Sequence, residues 1–119
     1  MLQMKYLNGV RILSVDEKKL KDSLQKIVEK IKREHPELVE IILFGSFCKN
    51  NFSPYSDLDI AIIVSGAERN FIKRVDEYIN YFDEMPFDIN LLVYTREEFD
   101  KMVKNSNTFA LEIKNGIKL

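Results

Sequence analysis

The sequence contains little cysteine, glycine or proline: one, four and three residues, respectively, among 119. A single cysteine, Cys48, cannot form an internal disulfide, so the expected compartment is a reducing cytoplasm. The few glycines do not form a Walker phosphate loop, and the Lys-Ser/Thr pair that ends such a loop is missing as well. An EF-hand calcium loop is also excluded, because the apolar residues 60–63 stand where further oxygen ligands would be needed.

The sequence also lacks long hydrophobic runs and a strong excess of charge of either sign. No apolar run approaches the roughly 20 residues that span a bilayer, and the N-terminal residues do not have the features of a signal peptide. The 18 basic and 19 acidic residues leave a net charge of −1, which provides no basic surface for duplex nucleic acid. We therefore expect no membrane partner, no direct contact with duplex nucleic acid, and one domain over residues 1–119.

Hydrophobic patterning predicts three buried strands, over residues 38–44, 58–64 and 87–94. Too few residues separate the first two strands for a crossover helix, so we expect that pair to be antiparallel. The predicted order of helices and strands along the chain favours a layered α/β or α+β domain.

Turn and capping signals predict the other elements. The pair Asn8-Gly9 predicts a small hairpin within residues 3–13. Capping-box patterns at Ser14–Glu17 and Thr95–Glu98 predict the starts of two amphipathic helices. Further helices are expected around Phe71–Phe82 and Thr108–Lys114.

Two short segments carry the candidate chemistry. The first predicted buried strand ends in Gly45-Ser46, and the second opens with Asp57-Leu58-Asp59. Side chains alternate along a strand, so Asp57 and Asp59 point to the same side and repel each other unless positive charge lies between them. An oxygen-seeking ion such as Mg²⁺ would supply that charge, and a Gly-Ser turn could offer backbone N–H groups to a phosphate. Together these features suggest phosphoryl or nucleotidyl transfer.

A third carboxylate, Asp88, stands near the start of the third predicted strand between Phe87 and Ile89. A lone acid in such an apolar setting is costly unless it is paired or bound to a metal. If this strand lies beside the second, Asp88 joins Asp57 and Asp59. Three converging carboxylates would fit two metal ions about 3.5–4 Å apart.

These motifs resemble those of the polymerase-β-like nucleotidyltransferase superfamily, and more narrowly those of the minimal nucleotidyltransferases of bacteria and archaea. The resemblance is carried by Gly45-Ser46-Phe47, by Ser56-Asp57-Leu58-Asp59 and by Asp88 on a later strand. It implies an α+β (layered α/β) nucleotidyltransferase fold, with helices packed against a small mixed β-sheet. One departure is Phe47-Cys48-Lys49-Asn50, where these proteins commonly have Phe/Tyr-Ala-Arg-Gly; lysine keeps the charge but loses the arginine fork.

The resemblance also implies roles for individual residues. The Gly-Ser turn of the family contacts nucleotide phosphates, which assigns nucleotide binding to Gly45 and Ser46, with Lys49 beside them. The paired acids of the family hold the metals, and the third acid completes the metal site and helps to activate the attacking hydroxyl. The catalytic and metal-binding roles would therefore both fall on Asp57, Asp59 and Asp88.

The implied reaction is Mg²⁺-dependent transfer of a nucleoside monophosphate, AMP from ATP, to a hydroxyl acceptor, with release of pyrophosphate. Mg²⁺ would occupy a two-metal site, and ATP or another nucleoside triphosphate would be the substrate. Such small proteins resemble the antitoxin half of toxin–antitoxin pairs, whose partner is a helical HEPN-domain protein. The acceptor would then be a tyrosine of the toxin.

Two other functions stay open, and a homo-oligomer also stays open. The chain could be a non-catalytic antitoxin that neutralises its partner by contact, although the presence of all three acids favours an enzyme. Modification of a small molecule such as an aminoglycoside would normally need an additional acceptor-binding domain.

Overall fold

The structure is a computed structural model that describes residues 1–49, 53–67 and 69–119, apart from the side chains of Ile12 and Lys49. The strands in these ranges are β1 (Leu2–Leu7), β2 (Val10–Val15), β3 (Leu38–Phe44), β4 (Leu58–Val64), β5 (Ile89–Thr95) and β6 (Ile117–Lys118). The α-helices are α1 (Glu17–Glu34), α2 (Phe71–Asp76), α3 (Arg96–Lys104) and α4 (Thr108–Lys114), and short 3₁₀ segments span Gly45–Lys49 and Ile79–Phe82. No helix in the described ranges is long and apolar enough to cross a lipid bilayer.

A four-stranded mixed sheet with the order β5-β4-β3-β6 forms the centre of the fold. Strands β3 and β4 are antiparallel, which confirms the predicted pairing, and Phe44 lies opposite Asp59. Strands β4 and β5 are parallel, and Asp59 lies opposite Asn90. The predicted hairpin also forms, as a separate two-stranded sheet of β1 and β2 that turns at Asn8-Gly9.

Different helices cover the two faces of the central sheet. Because side chains alternate along β4, Ile60 and Ile62 enter a cluster with Leu24 of α1, whereas Ala61 and Ile63 enter a second cluster with residues of α3 and α4. Each fully buried isoleucine or leucine contributes about 1.5–3 kcal/mol to stability. The predicted α+β class, a small mixed sheet with helices packed against it, is confirmed. Asp59 shares the face of Ala61 and Ile63, so the site begins where the α3–α4 layer ends.

The first long helix begins later than the capping pattern predicted. Ser14 lies within β2, which stays paired to β1 as far as Val15, so its backbone is extended and cannot cap the helix. The cap is Asp16, whose Oδ1 accepts a hydrogen bond from the Lys19 backbone N–H at 3.2 Å. The predicted Ser14 capping box is therefore wrong.

The helix predicted around Phe71–Phe82 is broken. It splits into α2 and the 3₁₀ segment Ile79–Phe82, and the exposed fractions of Phe71 and Ile72 are 52% and 74%. Tyr78 lies between the two pieces with its ring buried, and its hydroxyl donates to Glu37 at 2.7 Å, so the chain turns inward there. The capping box predicted at Thr95–Glu98 is confirmed at the start of α3.

Arg74 brings a buried charge between α2 and β5. Its exposed fraction is 4%, and its guanidinium donates to both carboxylate oxygens of Glu98, at 2.7 and 3.2 Å. The same group donates to the Val93 carbonyl at 3.4 Å and lies 4.4 Å from the centroid of the Phe71 ring. The hydrogen bond from Arg74 holds the pKa of Glu98 below its ordinary value. Through Glu98 and Val93, Arg74 ties α2 to the first turn of α3 and to β5.

Replacing Arg74 with methionine should lower the free energy of unfolding by about 2–3 kcal/mol, because it removes the hydrogen bonds that a buried guanidinium donates to Glu98 and Val93. The matched control is Arg96→Met. Arg96 also pairs with a glutamate, Glu40, at 3.0 Å, but its side chain is 47% exposed, so we expect a loss of no more than about 1 kcal/mol. Urea denaturation of both variants checks the difference, and equal losses would contradict the assignment.

The stability difference between wild type and Arg74→Met should also depend on pH. A carboxyl group whose pKa is lowered by folding contributes stability above its unfolded pKa, and that contribution is lost as pH falls through the folded pKa. The ordinary pKa of Glu98 is 4.5. The difference should therefore be full at neutral pH and shrink below about 4.5. A difference that stays constant into that acidic range would show that Arg74 acts through packing alone.

Candidate active site

Gly45 forms the turn at the end of β3, and its backbone requires glycine. Its φ angle is +76°, a left-handed conformation that costs other residues roughly 1–2 kcal/mol. A Cβ atom built at Gly45 would lie 2.1 Å from Oδ2 of Asp59, far inside van der Waals contact. The carboxylate of Asp59 therefore rests directly against the turn, and a side chain at position 45 would fit only if the Asp59 side chain shifted.

The 3₁₀ segment after Gly45 is held against the core. Phe47 is buried, and its ring meets that of Phe87 edge to face at 5.6 Å between centroids. The Cys48 thiol donates to the Leu43 carbonyl at 2.7 Å. Ser46 is half-buried. The predicted phosphate-binding turn is thus a fixed feature at the carboxyl end of β3. Lys49, also predicted to bind the nucleotide, has its side chain outside the described part of the structure.

The two paired acids lie together, as the strand alternation predicted. Asp57 is exposed, and Asp59 is half-buried. The side-chain amide of Asn90 donates to both of them, to Oδ2 of Asp57 at 3.2 Å and to Oδ1 of Asp59 at 2.9 Å. The neutral amide of Asn90 thus bridges two like charges at the start of β4. Hydrogen bonds to ionised acceptors are among the stronger ones in proteins.

Asp88 directly precedes β5, and its predicted place in a three-carboxylate metal site stays a prediction. It is exposed, and its backbone carbonyl accepts from the Leu58 N–H at 2.8 Å. Asp59 lies opposite Asn90 on the parallel neighbour β5. The side-chain amide of Asn90 therefore contacts both acids. Within residues 1–49, 53–67 and 69–119, no group of three or more His, Cys, Asp or Glu residues could hold a metal ion.

Asn90 is the site residue that the sequence analysis missed. A signal was available, because Asn90 follows Asp88 by two residues and two such residues share one face of a strand. Which of the two residues contacts Asp57 and Asp59 depends on the register of β5 against β4, and the local sequence pattern does not contain that register.

The oxygen donors at this site fit one magnesium ion. Mg²⁺ in proteins is commonly held by one or two carboxylates together with substrate phosphates and water, and Asp57 and Asp59 supply two carboxylates on one side of the sheet. Because Gly45 has no side chain, the Asp59 carboxylate can occupy its position against the turn. The predicted two-metal site, which also includes Asp88, stays a prediction.

Similarity to known proteins agrees with this geometry. The sequence matches the family described as "Nucleotidyltransferase domain" over residues 24–114. It is 29% identical over 108 residues, which cover 88% of this chain and 74% of the relative, to a Methanocaldococcus jannaschii protein named "Putative protein adenylyltransferase MJ1305". A crystal structure from Sulfolobus solfataricus, titled "putative nucleotidyltransferase", is similar in fold. Its TM-score is 0.60 at 21% identity, over 82% of this chain and 76% of that one. The nucleotidyltransferase fold expected from the sequence is confirmed.

Gly45→Ala and Gly9→Ala should separate backbone strain from the contact with Asp59. Gly9 has nearly the same φ, +79°, but nothing lies within 4 Å of a Cβ built there. Gly9→Ala should therefore cost about 1–2 kcal/mol of stability from backbone strain alone. Gly45→Ala should cost about 1 kcal/mol or more beyond that, since Asp59 must move. Thermal or urea denaturation measures both, and equal costs would show that the Asp59 carboxylate moves aside freely.

Asn90→Asp should destabilise the metal-free protein, because it replaces a donor shared by two carboxylates with a third like charge. The site is solvent-accessible, so we expect a loss of about 1 kcal/mol at neutral pH. Added Mg²⁺ should recover that loss. Asn90→Ala is the control: it removes the amide without adding charge, so Mg²⁺ should restore less stability. Urea denaturation with and without Mg²⁺ tests this, and a loss that Mg²⁺ does not recover would contradict it.

Proposed function

This chain belongs to the nucleotidyltransferase domain family, whose model it matches over residues 24–114, and we propose that it transfers AMP from ATP to a hydroxyl group of an acceptor protein. A nucleotidyltransferase of the minimal type is what the family establishes. The nucleotide, the metal and the acceptor are our proposal. The observation that carries it is the pair of carboxylates, Asp57 and Asp59, which share the Asn90 amide, with Asp59 set directly against the turn at Gly45.

The proposed reaction is a substitution at the α-phosphorus of ATP. The acceptor hydroxyl oxygen forms a bond to this phosphorus, and the bond from the phosphorus to the oxygen that bridges the α- and β-phosphates breaks. Pyrophosphate leaves, and the hydroxyl proton is released to water. The products are an AMP ester of the acceptor, pyrophosphate and one proton.

The chain's own residues would position the reacting groups. Asp57 and Asp59 would hold Mg²⁺, which when bound supplies positive charge next to the phosphates. Backbone N–H groups of the turn at Gly45-Ser46 would bind phosphate oxygens, and Lys49 would add a positive charge there. Asp88, exposed directly before β5, would complete the metal site and help to activate the attacking hydroxyl, whose proton it would pass on to water. Asn90 would orient both metal-binding acids through its amide.

The name of a relative supports AMP and a protein acceptor. The M. jannaschii relative is named as a putative protein adenylyltransferase, and we extend that description to this chain as part of the proposal. A tyrosine of a HEPN-domain toxin is the acceptor we propose, with this chain as the antitoxin in the cytoplasm.

The alternative is a non-catalytic antitoxin that neutralises its partner by contact. A binding module would have no need for two like charges next to each other, which cost stability unless they are compensated. It would also have no need for a carboxylate packed against a glycine turn. The retention of both features favours the enzyme.

Calorimetry of ATP binding, with and without Mg²⁺, is the first test. Wild type should bind ATP only with Mg²⁺, and Asp57→Asn/Asp59→Asn should lose that binding. The control is Asp22→Asn, an exposed acid on α1, which should bind as wild type does. Binding in the double variant that equals wild type would place the nucleotide elsewhere.

Transfer itself distinguishes the enzyme from the binding module. Incubating wild type, the HEPN-domain partner and Mg²⁺–ATP should add the mass of one AMP to a partner tyrosine, and the double variant should add none. Neutralisation of the partner by the double variant as complete as by wild type, with no added mass in either case, would favour the binding module.

A further inference from the structure

One edge of the central sheet is open beside the candidate site. Strand β5 is the last strand on its side of the sheet. The backbone N–H and C=O groups of successive residues in a strand point alternately to its two sides. The Leu58 N–H donates to the Asp88 carbonyl, so Asp88 and Asn90 direct their main-chain groups to β4. Ile89 and Leu91 direct theirs outward.

This edge is closed at one end and open at the other. The Val93 carbonyl, which also points outward, accepts from the Arg74 guanidinium at 3.4 Å. In the described ranges no hydrogen bond reaches the outward main-chain groups of Ile89 and Leu91. Exposed strand edges are usually protected by charges, proline or a covering element. The unprotected stretch is the half of β5 next to Asp59.

A groove of about 550 Å³ runs along this open stretch. Its lining includes Val75 and Ile79, which pack on the α1 side of the sheet, and Phe109 of α4, whose ring meets that of Phe44 on the other side; Asp59 and Asn90 also line it. Most of the lining residues are apolar. The groove therefore leads from an open strand edge directly to a carboxylate of the candidate site.

We propose that this groove binds an extended segment of the acceptor protein as an added β-strand, and that a tyrosine of this segment reaches the site. The inference rests on the proposed function and specifies how its acceptor is bound. An added strand would hydrogen-bond to the main chain of Ile89 and Leu91, the mode in which many domains capture extended peptides. A helix could not satisfy these groups, because its own backbone groups are already bonded internally.

The spacing of strands favours tyrosine as the acceptor residue. An added strand would lie two strand spacings, about 9.5 Å, from β4. Its side chains would alternate between the wall with Val75 and Ile79 and the face that carries Asn90. A tyrosine on the second face carries its hydroxyl at the far end of the ring, so it spans much more of that gap than serine or threonine. The transfer step is the substitution at the α-phosphorus given above.

The test uses a pool of short peptides with a central tyrosine and no other hydroxyl residue, incubated with wild-type protein and Mg²⁺–ATP. Mass spectrometry should find AMP on the tyrosine. The same pool, N-methylated on the backbone next to the tyrosine, should react at least about tenfold less, since strand pairing needs those N–H groups. Free tyrosine should react no better than the methylated pool.

Ile89→Pro tests the edge on the protein. Ile89 is the first residue of β5, a position where proline is tolerated, and the change removes the outward N–H while leaving the ladder to β4 in place. Transfer to the peptide pool should fall about tenfold or more, whereas Mg²⁺–ATP binding should stay within about twofold of wild type. Binding that is kept while transfer is lost also shows that the variant folds.

A second pair of variants tests the groove wall. Phe109→Ser removes an apolar wall residue, and Leu111→Ser is its matched control, since Leu111 is similarly exposed on the same helix (38% against 42%) but does not line the groove. Phe109→Ser should raise the KM for peptide several-fold, and Leu111→Ser should leave this KM unchanged.

Several results would overturn the inference. These are equal transfer to the methylated pool, equal transfer by Ile89→Pro, or wild type that binds Mg²⁺–ATP but modifies no peptide. A dimer of wild type that Ile89→Pro converts to monomer would show that the edge pairs with a second copy instead. Failure of wild type to bind Mg²⁺–ATP at all would be a different result, because it rejects the proposed function itself.

Discussion

The contact between Gly45 and Asp59 is the constraint on which the rest of the site depends. The antiparallel pairing of β3 and β4 places Phe44 opposite Asp59, so the residue that follows β3, Gly45, must turn away next to that carboxylate. Glycine can do so, because it adopts a positive φ and has no Cβ to meet Oδ2 of Asp59. The turn and the acid consequently occupy fixed positions relative to each other. A phosphate bound at the turn and a cation bound at the acid would meet without further rearrangement.

A neutral residue, Asn90, reduces the repulsion between the two carboxylates of the site. Asp57 and Asp59 are like charges on one side of the sheet, and the amide of Asn90 donates to each of them. An amide lowers their repulsion less than a lysine or arginine would, and it leaves the net negative charge in place. A site of this kind remains attractive to a divalent cation. If a lysine or arginine stood in place of Asn90, its positive charge would compete with the metal for the same carboxylate oxygens.

The mixed sheet separates the candidate site from the hydrophobic core. Asp59 stands at the start of β4, while Ala61 and Ile63 on the same face are buried beneath α3 and α4. Arg74 and Glu98 join α2 to the first turn of α3, beyond the far end of β5. The stabilising contacts thus concentrate away from the acids, and the half of β5 beside them keeps an open edge. Such a division allows a small chain to retain a closed core and an accessible site.

The sequence by itself determined the elements whose signals are local. The strands 38–44 and 58–64 follow from continuous apolar runs, the shared side of Asp57 and Asp59 follows from strand alternation, and the cap at Thr95 follows from four consecutive residues. Only the tertiary structure decided what depends on pairing. Asn90 contacts the acids because β5 lies parallel to β4 in one particular register, and a shift of two residues would place Asp88 there with the same apolar pattern. Hydrophobic alternation specifies which face a residue occupies but not its position along the neighbouring strand.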